Sequence, residues 1–219
     1  MRRYVIVPVV EGYGEVRAVP ILLRRWLRHR NFHRYFDVDL AGPVRAAGKG
    51  ALKVAHHTAH ELGVEHYVEI ALLRGPDAIV VILDADEDAP EILGPSLLDR
   101  ARTVVPGNYP IAVVVAKREY EAWFLAAFPS SRFRAGLTAR KYTLTRQSLP
   151  PRTDVEAIAD CKSYIADLIG VKKYEPTIHQ PALTDILPFT SAMTRRSPSF
   201  SRLLTELNLL MGQARRRRI

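Results

Sequence analysis

The residues best suited to chemistry in this 219-residue chain are acidic, and they directly follow apolar stretches. Glu11 follows residues 4–10, and the pair Asp84 and Asp86 follows residues 77–83. Two residues apart, Asp84 and Asp86 would face the same side of an extended backbone. Carboxylates held close together repel one another, and a hard divalent cation such as Mg²⁺ or Mn²⁺ relieves that repulsion. The pattern therefore predicts a metal site made of oxygen ligands.

A second charged group, Lys117, Glu119 and Glu121, follows the apolar stretch 111–116. Residues 117–128 are predicted to be helical, and at about 3.6 residues per turn Glu119 and Glu121 would be ~200° apart. Only one of these two glutamates is therefore expected to face the metal.

Asp88 and Glu15 are additional candidate ligands for a second metal ion. For these two residues, however, an ordinary surface charge is the simpler interpretation. Asp-x-Asp alone is a weak signal, and it gains weight here from its position directly after an apolar strand.

These groups need a scaffold that brings distant parts of the chain together. Strands are predicted at 4–10, 35–40, 77–83 and 111–116, and helices at 16–30, 51–73, 94–105 and 117–128. Alternating strands and helices predict an α/β fold with a mostly parallel central sheet flanked by helices. Ligands of such folds bind beyond the carboxyl ends of the strands, so the acidic groups are expected to meet there.

The formal net charge of +9 is distributed unevenly along the chain. Residues 1–128 contain 16 basic and 16 acidic side chains, whereas residues 129–219 contain 16 basic and 7 acidic ones. We therefore predict an α/β domain over 1–128 and a basic, mainly helical extension over 129–219 that packs on or beside it. Such a region favours DNA or RNA as a partner, although an arginine-rich solvated surface would explain the charge equally well.

Several other classes of protein are disfavoured. Cys161 is the single cysteine, so a disulfide framework is ruled out. No apolar run approaches the roughly 18 residues of a membrane helix, and the first residues read as a strand, so no membrane association and a cytoplasmic location are expected. His56 and His60 have a zinc-compatible spacing, but a plain helix surface is the better interpretation. Residues 42–50 lack the Ser or Thr that a Walker loop needs after its lysine.

Short motifs along nearly the whole chain resemble a known family. Residues 10–15 and 82–86 resemble the two signatures of the Toprim fold, a glutamate in a glycine-containing loop and Asp-x-Asp. Together with residues 16–20, 83–88, 117–125, 161–162, 174–177 and 180–184, they are similar to the DUF4276 family of Toprim-like proteins. Toprim domains occur in topoisomerases, primases and the OLD (overcoming-lysogenization-defect) nucleases.

The resemblance implies roles for individual residues. It implies that Glu11 is a metal ligand or acid/base group and that Asp84 and Asp86 are metal ligands. A later acidic residue and a lysine complete the site in the OLD-like branch. Glu121, in the Glu-Ala-Trp core of the family motif, and Lys117 are the candidates here.

The combined prediction is a divalent-metal-dependent nuclease that uses Mg²⁺ or Mn²⁺, with a possible role in phage defence implied by the resemblance. A different possibility is a partner subunit of a separate ABC-type ATPase that has little activity alone. A third is a nucleic-acid or nucleotide binder whose metal site is degenerate.

Overall fold

Apolar, β-branched runs form a five-stranded sheet in the computed structural model, which describes residues 1–55, 62–150 and 153–216. The strands are β1 (Arg2–Val10), β2 (Phe36–Leu40), β3 (Val44–Arg45), β4 (Ala78–Asp84) and β5 (Ile111–Ala116). Their order is β2-β1-β4-β5, with β3 beside the end of β1, and all of these pairings are parallel. The predicted α/β class with a mostly parallel sheet is therefore confirmed. Only β3 was not predicted.

The register of the sheet aligns the ends of the strands that matter for the site. Val10 of β1 pairs with Ile82 of β4, and Asp84 of β4 pairs with Ala116 of β5. The residues that follow β1, β4 and β5 consequently leave the sheet at the same edge. This edge carries the acidic residues identified in the sequence.

Helices cover both faces of the sheet. The described residues form α1 (Tyr13–His29), α2 (Val64–Leu72), α3 (Pro90–Arg102), α4 (Ala122–Ala127), α5 (Ser131–Ala139), α6 (Cys161–Leu168), α7 (Pro176–Thr184), α8 (Ser191–Arg196) and α9 (Pro198–Arg216). Helix α3 begins earlier than predicted because a proline suits the first position of a helix. The predicted helix 51–73 is observed as α2 alone, and its segment with His56 and His60 lies outside the described residues.

The prediction of a helix over 117–128 is wrong for its first five residues. Residues 117–121 form a turn in which Arg118 has a φ of 61°, a left-handed conformation that a helix does not contain. Helix α4 starts only at Ala122. This turn determines the directions in which Glu119 and Glu121 point.

Side chains of the strands are buried on both faces, as expected for a parallel sheet. Along β4, Val80 and Ile82 pack on the face covered by α1 and α4, and Val81 and Leu83 pack on the face covered by α2 and α3. The two hydrophobic clusters hold the strand ends, and with them the site, in fixed positions.

The segment after residue 128 packs into the first of these clusters. Phe133, Leu183, Phe200 and Leu207 are buried there together with β1, β4 and β5 residues. Helix α7 packs along α1, and α9 packs against β5. In the described part of this segment the chain forms helices and turns but no strand.

Among the described residues, no helix combines the length and the apolar composition that a bilayer crossing requires.

Candidate metal centre

Glu11 directly follows β1, in a buried position beside the loop that follows β3. Its Oε1 accepts a hydrogen bond of 2.9 Å from the backbone N–H of Gly50. Burial raises the pKa of Glu11, and the nearby charge of Lys53 opposes that effect. Among the charges close enough to act on Glu11 are Glu15 and Asp86, so this carboxylate belongs to the acidic cluster at the sheet edge.

Asp84, the last residue of β4, points toward the turn after β5. Its Oδ1 accepts a hydrogen bond of 2.7 Å from the backbone N–H of Tyr120. Burial, together with the negative charges of Glu121 and Glu15, raises the pKa of Asp84 well above its usual value. A carboxyl group in this state gains from any cation that approaches it.

Asp86 does not continue the extended backbone of Asp84. Its φ of 55° is left-handed, so the chain turns directly after β4, and the extended backbone assumed for Asp84 and Asp86 is wrong. Asp86 Oδ1 instead lies 2.8 Å from Lys49 Nζ, and Oδ2 lies 3.0 Å from Lys53 Nζ. Although burial opposes it, these two lysines lower the pKa of Asp86.

Lys53 joins several groups of the loop after β4. Its ammonium lies 3.0 Å from Asp88 Oδ2 as well as from Asp86, and it donates a hydrogen bond of 2.8 Å to the carbonyl oxygen of Ala85. Asp88 is thus held on the same lysine as Asp86, at the exposed rim of the site.

Glu119 and Glu121 both face the site, in contrast to the prediction from helical geometry. Because they lie in a turn before α4, both carboxylates reach Lys162 of α6. The Nζ–Oε1 distance to Glu119 is 2.5 Å, and the Nζ–Oε2 distance to Glu121 is 3.6 Å. Both glutamates therefore lie beside Lys162, and their positions require no choice of one over the other.

Glu121 is the most deeply buried carboxylate of the cluster, with no exposed surface. Burial raises its pKa to about 7 against the opposing charge of Lys162. Gln180 Nε2, from α7, lies 3.4 Å from Glu121 Oε1. Tyr174 is buried nearby, and burial together with the charge of Glu121 raises the pKa of its hydroxyl.

Sequence reasoning missed Lys162, the lysine that contacts the carboxylates. It reaches them from α6, more than 40 residues further along the chain, so no local spacing indicated it; the only signal was its place beside Cys161 in the family motif. Lys117 directly follows β5 but makes no ion pair with a described acidic residue. Its role therefore stays a prediction.

Two neighbouring residues have structural functions. Glu15 caps the start of α1, where its Oε2 accepts a hydrogen bond from the N–H of the N-cap residue Gly12 and its Oε1 accepts one of 3.2 Å from Gln180. Cys161 is fully buried next to Lys162, and burial raises the pKa of its thiol to about 12.

The donor set fits a hard divalent cation in its chemistry. Oε2 of Glu119 is buried and accepts no hydrogen bond from the described residues, a costly state for a carboxylate oxygen, and Oε2 of Glu121 has the Lys162 ammonium at 3.6 Å. Mg²⁺ and Mn²⁺ prefer oxygen ligands of this kind. In the described residues the nearest cations are lysines, and no three His, Cys, Asp or Glu side chains are arranged to enclose a metal.

The chain is similar in structure to the C-terminal regions of two OLD proteins. The C-terminal region of the Burkholderia pseudomallei OLD protein is similar in structure, with 16% identity, a TM-score of 0.40 and coverage of 94% of this chain and 98% of that one. The corresponding region of the Xanthomonas campestris pv. campestris OLD protein has 14% identity, a TM-score of 0.38 and coverage of 96% and 97%. No curated protein matches the sequence.

A family model has a clearer match. The model described as "Domain of unknown function (DUF4276)" matches residues 10–208, which include every carboxylate and lysine of the site. This match confirms the family expected from the sequence motifs, and the chain belongs to the DUF4276 family.

Proposed function

We propose that this protein is a divalent-metal-dependent nuclease of the Toprim type that hydrolyses phosphodiester bonds. The observation that carries the proposal is the position of Glu11, Asp84, Glu119 and Glu121 at or directly after the ends of three strands that finish at one sheet edge. Lysines stand directly beside them, at Lys53 and Lys162. Carboxylates can hold a metal cation, and that cation together with the neighbouring ammonium groups would neutralise the anionic oxygens of a phosphodiester.

Each part of the site has a task in this reaction. Mg²⁺ or Mn²⁺, when bound, would activate a water and neutralise charge on the phosphate. Glu11, Asp84 and Glu121 would hold the cation, and their burial keeps bulk water away. Lys162 stands where it can donate hydrogen bonds to a phosphate oxygen as well as to Glu119.

Substrate binding is assigned to cationic groups around this edge and to the basic segment after residue 128. Contacts with the phosphate backbone position a strand but read little sequence, so low sequence specificity is expected. The nucleic-acid partner, DNA or RNA, is part of the proposal.

The test is cleavage of plasmid DNA, single-stranded DNA and RNA in Mg²⁺ or Mn²⁺, with EDTA as the metal-free control. Asp84→Ala is expected to abolish cleavage, because it removes a carboxylate from the centre of the site. Asp37→Ala, an exposed aspartate at the opposite end of the sheet, is the matched control and should cleave normally. Undiminished cleavage by purified Asp84→Ala would show that another site, or a contaminant, is responsible.

A second candidate function is a partner subunit of a separate ABC-type ATPase. One observation favours it: Lys49 and Lys53 pair with Asp86, and Lys162 pairs with Glu119 and Glu121, so these carboxylates have counter-charges within the chain. Titration of the protein with Mn²⁺ in a calorimeter separates the two functions. A nuclease must bind the ion, and Asp84→Ala must weaken binding, whereas an adaptor of this kind shows no heat of binding.

A further inference from the structure

Tyr13 directly follows the Glu11–Gly12 segment of the candidate site and has no part in the chemistry described above. It is the first residue of α1, two positions after Glu11, and 66% of its surface is exposed. Most large apolar side chains of the described residues are buried, whereas this ring is exposed two residues from Glu11, and an exposed aromatic face can stack on a planar ligand.

Arg45 covers one face of this ring. Its guanidinium carbon lies 4.0 Å from the ring centroid, a close cation–π contact. The arginine is held in place from two sides. Its backbone pairs with Val10 at the end of β1, and its Nη1 donates a hydrogen bond of 2.8 Å to the carbonyl oxygen of Ala46. The high exposure of Tyr13 leaves the other face of the ring to solvent.

A second arginine continues the same surface. Arg17 lies one helical turn after Tyr13, so the two side chains share a face of α1, and both are exposed. Arg17 Nη1 donates a hydrogen bond of 3.0 Å to the carbonyl oxygen of Thr177, which leaves its other N–H groups available. The surface thus presents an aromatic ring with one arginine over one of its faces and a second arginine one helical turn away.

From this arrangement we propose that Tyr13, backed by Arg45 and flanked by Arg17, stacks an unpaired nucleobase next to the scissile phosphate. The ring binds the flat face of the base, and the arginines bind its flanking phosphates. Bases inside a duplex have both faces covered by their neighbours, so the surface selects single-stranded nucleic acid. This inference rests on the proposed nuclease function and adds a substrate class to it.

The test measures binding without cleavage. A single-stranded oligonucleotide that carries one 2-aminopurine is titrated in EDTA, with anisotropy for the affinity and base fluorescence for stacking. A blunt duplex of the same sequence is titrated in parallel. Tyr13→Ala is expected to weaken single-strand binding about tenfold or more and to remove the fluorescence change, since stacking on an aromatic side chain contributes about that much. Duplex binding should change far less.

Three variants serve as controls. Tyr13→Phe keeps a ring and should restore single-strand binding. Tyr13→Leu keeps apolar bulk without a ring and should bind as weakly as Tyr13→Ala, and it replaces that variant if the alanine form does not fold. Tyr35→Ala removes another stacked tyrosine–arginine pair, the one with Arg215, near the amino ends of the strands. It should bind both strands like the wild type.

The outcomes separate the inference from the function on which it rests. If the wild type cleaves and binds nucleic acid but Tyr13→Ala binds single strands equally well, the stacking surface is refuted and the nuclease stands. Equal weakening for single strands and duplex, or an equal effect of Tyr35→Ala, also refutes it. If the wild type binds neither strand and cleaves neither, the nuclease function fails first.

Discussion

Glu121 links the stability of this protein to pH. Its pKa rises from an ordinary value of 4.5 to about 7 on folding because the carboxyl group is buried. A raised pKa means that the folded state binds the proton more tightly than the unfolded chain does. The stabilisation is complete below about pH 4.5 and is lost as pH rises through about 7, up to roughly 3 kcal/mol in total. Asp84, whose pKa is also raised, acts in the same direction.

We expect Glu121→Gln to be more stable than the wild type at pH 8 and about equal to it at pH 4.5, because the amide never ionises. The measurement is urea unfolding across this pH range, in metal-free buffer. Glu91→Gln, at an exposed glutamate of α3, provides the control and should follow the wild-type curve. Parallel curves for Glu121→Gln and the wild type would contradict the buried, raised-pKa state of this carboxyl.

Lys162 is expected to matter for both stability and activity. Lys162→Met leaves Glu119 and Glu121 without their counter-charge. At pH 8 it should therefore reduce the free energy of unfolding by roughly 1–3 kcal/mol, less than for a fully buried pair because the lysine is a third exposed. Cleavage should fall about a hundredfold through the lost hydrogen bonds to phosphate.

Unfolding in urea and cleavage assays check both effects, with the exposed Lys141→Met as the matched control. Lys117→Met tests the lysine chosen from sequence alone. A larger loss of cleavage in Lys117→Met than in Lys162→Met would assign the role to the earlier lysine.

At the scale of elements, the contact between α1 and α7 joins the two halves of the chain. Gly14 lets the helices approach closely: a methyl group there would stand 2.1 Å from Gln180 Oε1 and 2.9 Å from Pro176 Cβ. Gln180 in turn contacts Glu15 and Glu121, so this packing also sets the position of the site carboxylates.

Gly14→Ala is therefore expected to destabilise the protein by about 1–3 kcal/mol through overpacking. Thermal unfolding measures the loss, and calorimetric titration with Mn²⁺ should show weaker binding. Gly48→Ala is the control, because a methyl group at Gly48 has no neighbour within 4 Å. Equal stability of the two variants would mean that α7 moves away at no cost.

Elements with a strong local signal were predictable from the sequence. Strands β1, β4 and β5 are continuous apolar runs, and parallel topology then places Glu11 and Asp84 at one edge. The left-handed residues Asp86 and Arg118 were not predictable, because neither is a glycine and each conformation depends on tertiary contacts.

The contributions of the later helices were also beyond local patterns. Lys162 and Gln180 reach Glu121 over 41 and 59 residues of chain, and periodicity carries no information about such contacts. The prediction for residues 129–219 depended on their net charge. That charge indicated nucleic-acid binding but gave no role to Lys162 or Gln180.

At the scale of the whole molecule, residues 129–216 complete both the core and the site. Trp123, Phe124 and Phe128 are buried against helices from that segment, together with Phe200. The segment also supplies Lys162, the counter-charge of the buried glutamates.

A fragment of residues 1–128 is consequently expected to lack a cooperative thermal transition, because it exposes these aromatic side chains and leaves Glu121 without its lysine. Circular dichroism of the fragment, compared with the full chain, tests this. Addition of a 129–219 fragment should restore cooperative melting if the two parts recognise each other. A sharp transition of 1–128 alone would show that the first part is an independent domain.

The burial of Cys161 provides a way to measure the separation of α6 from the site glutamates. Alkylating reagents attack the thiolate, which a raised pKa keeps scarce while the fold is closed. Since the neighbouring residue is Lys162, any fluctuation that lifts α6 away from the glutamates uncovers the sulfur as well. The rate at which iodoacetamide labels this single thiol therefore reports how often Lys162 separates from Glu119 and Glu121.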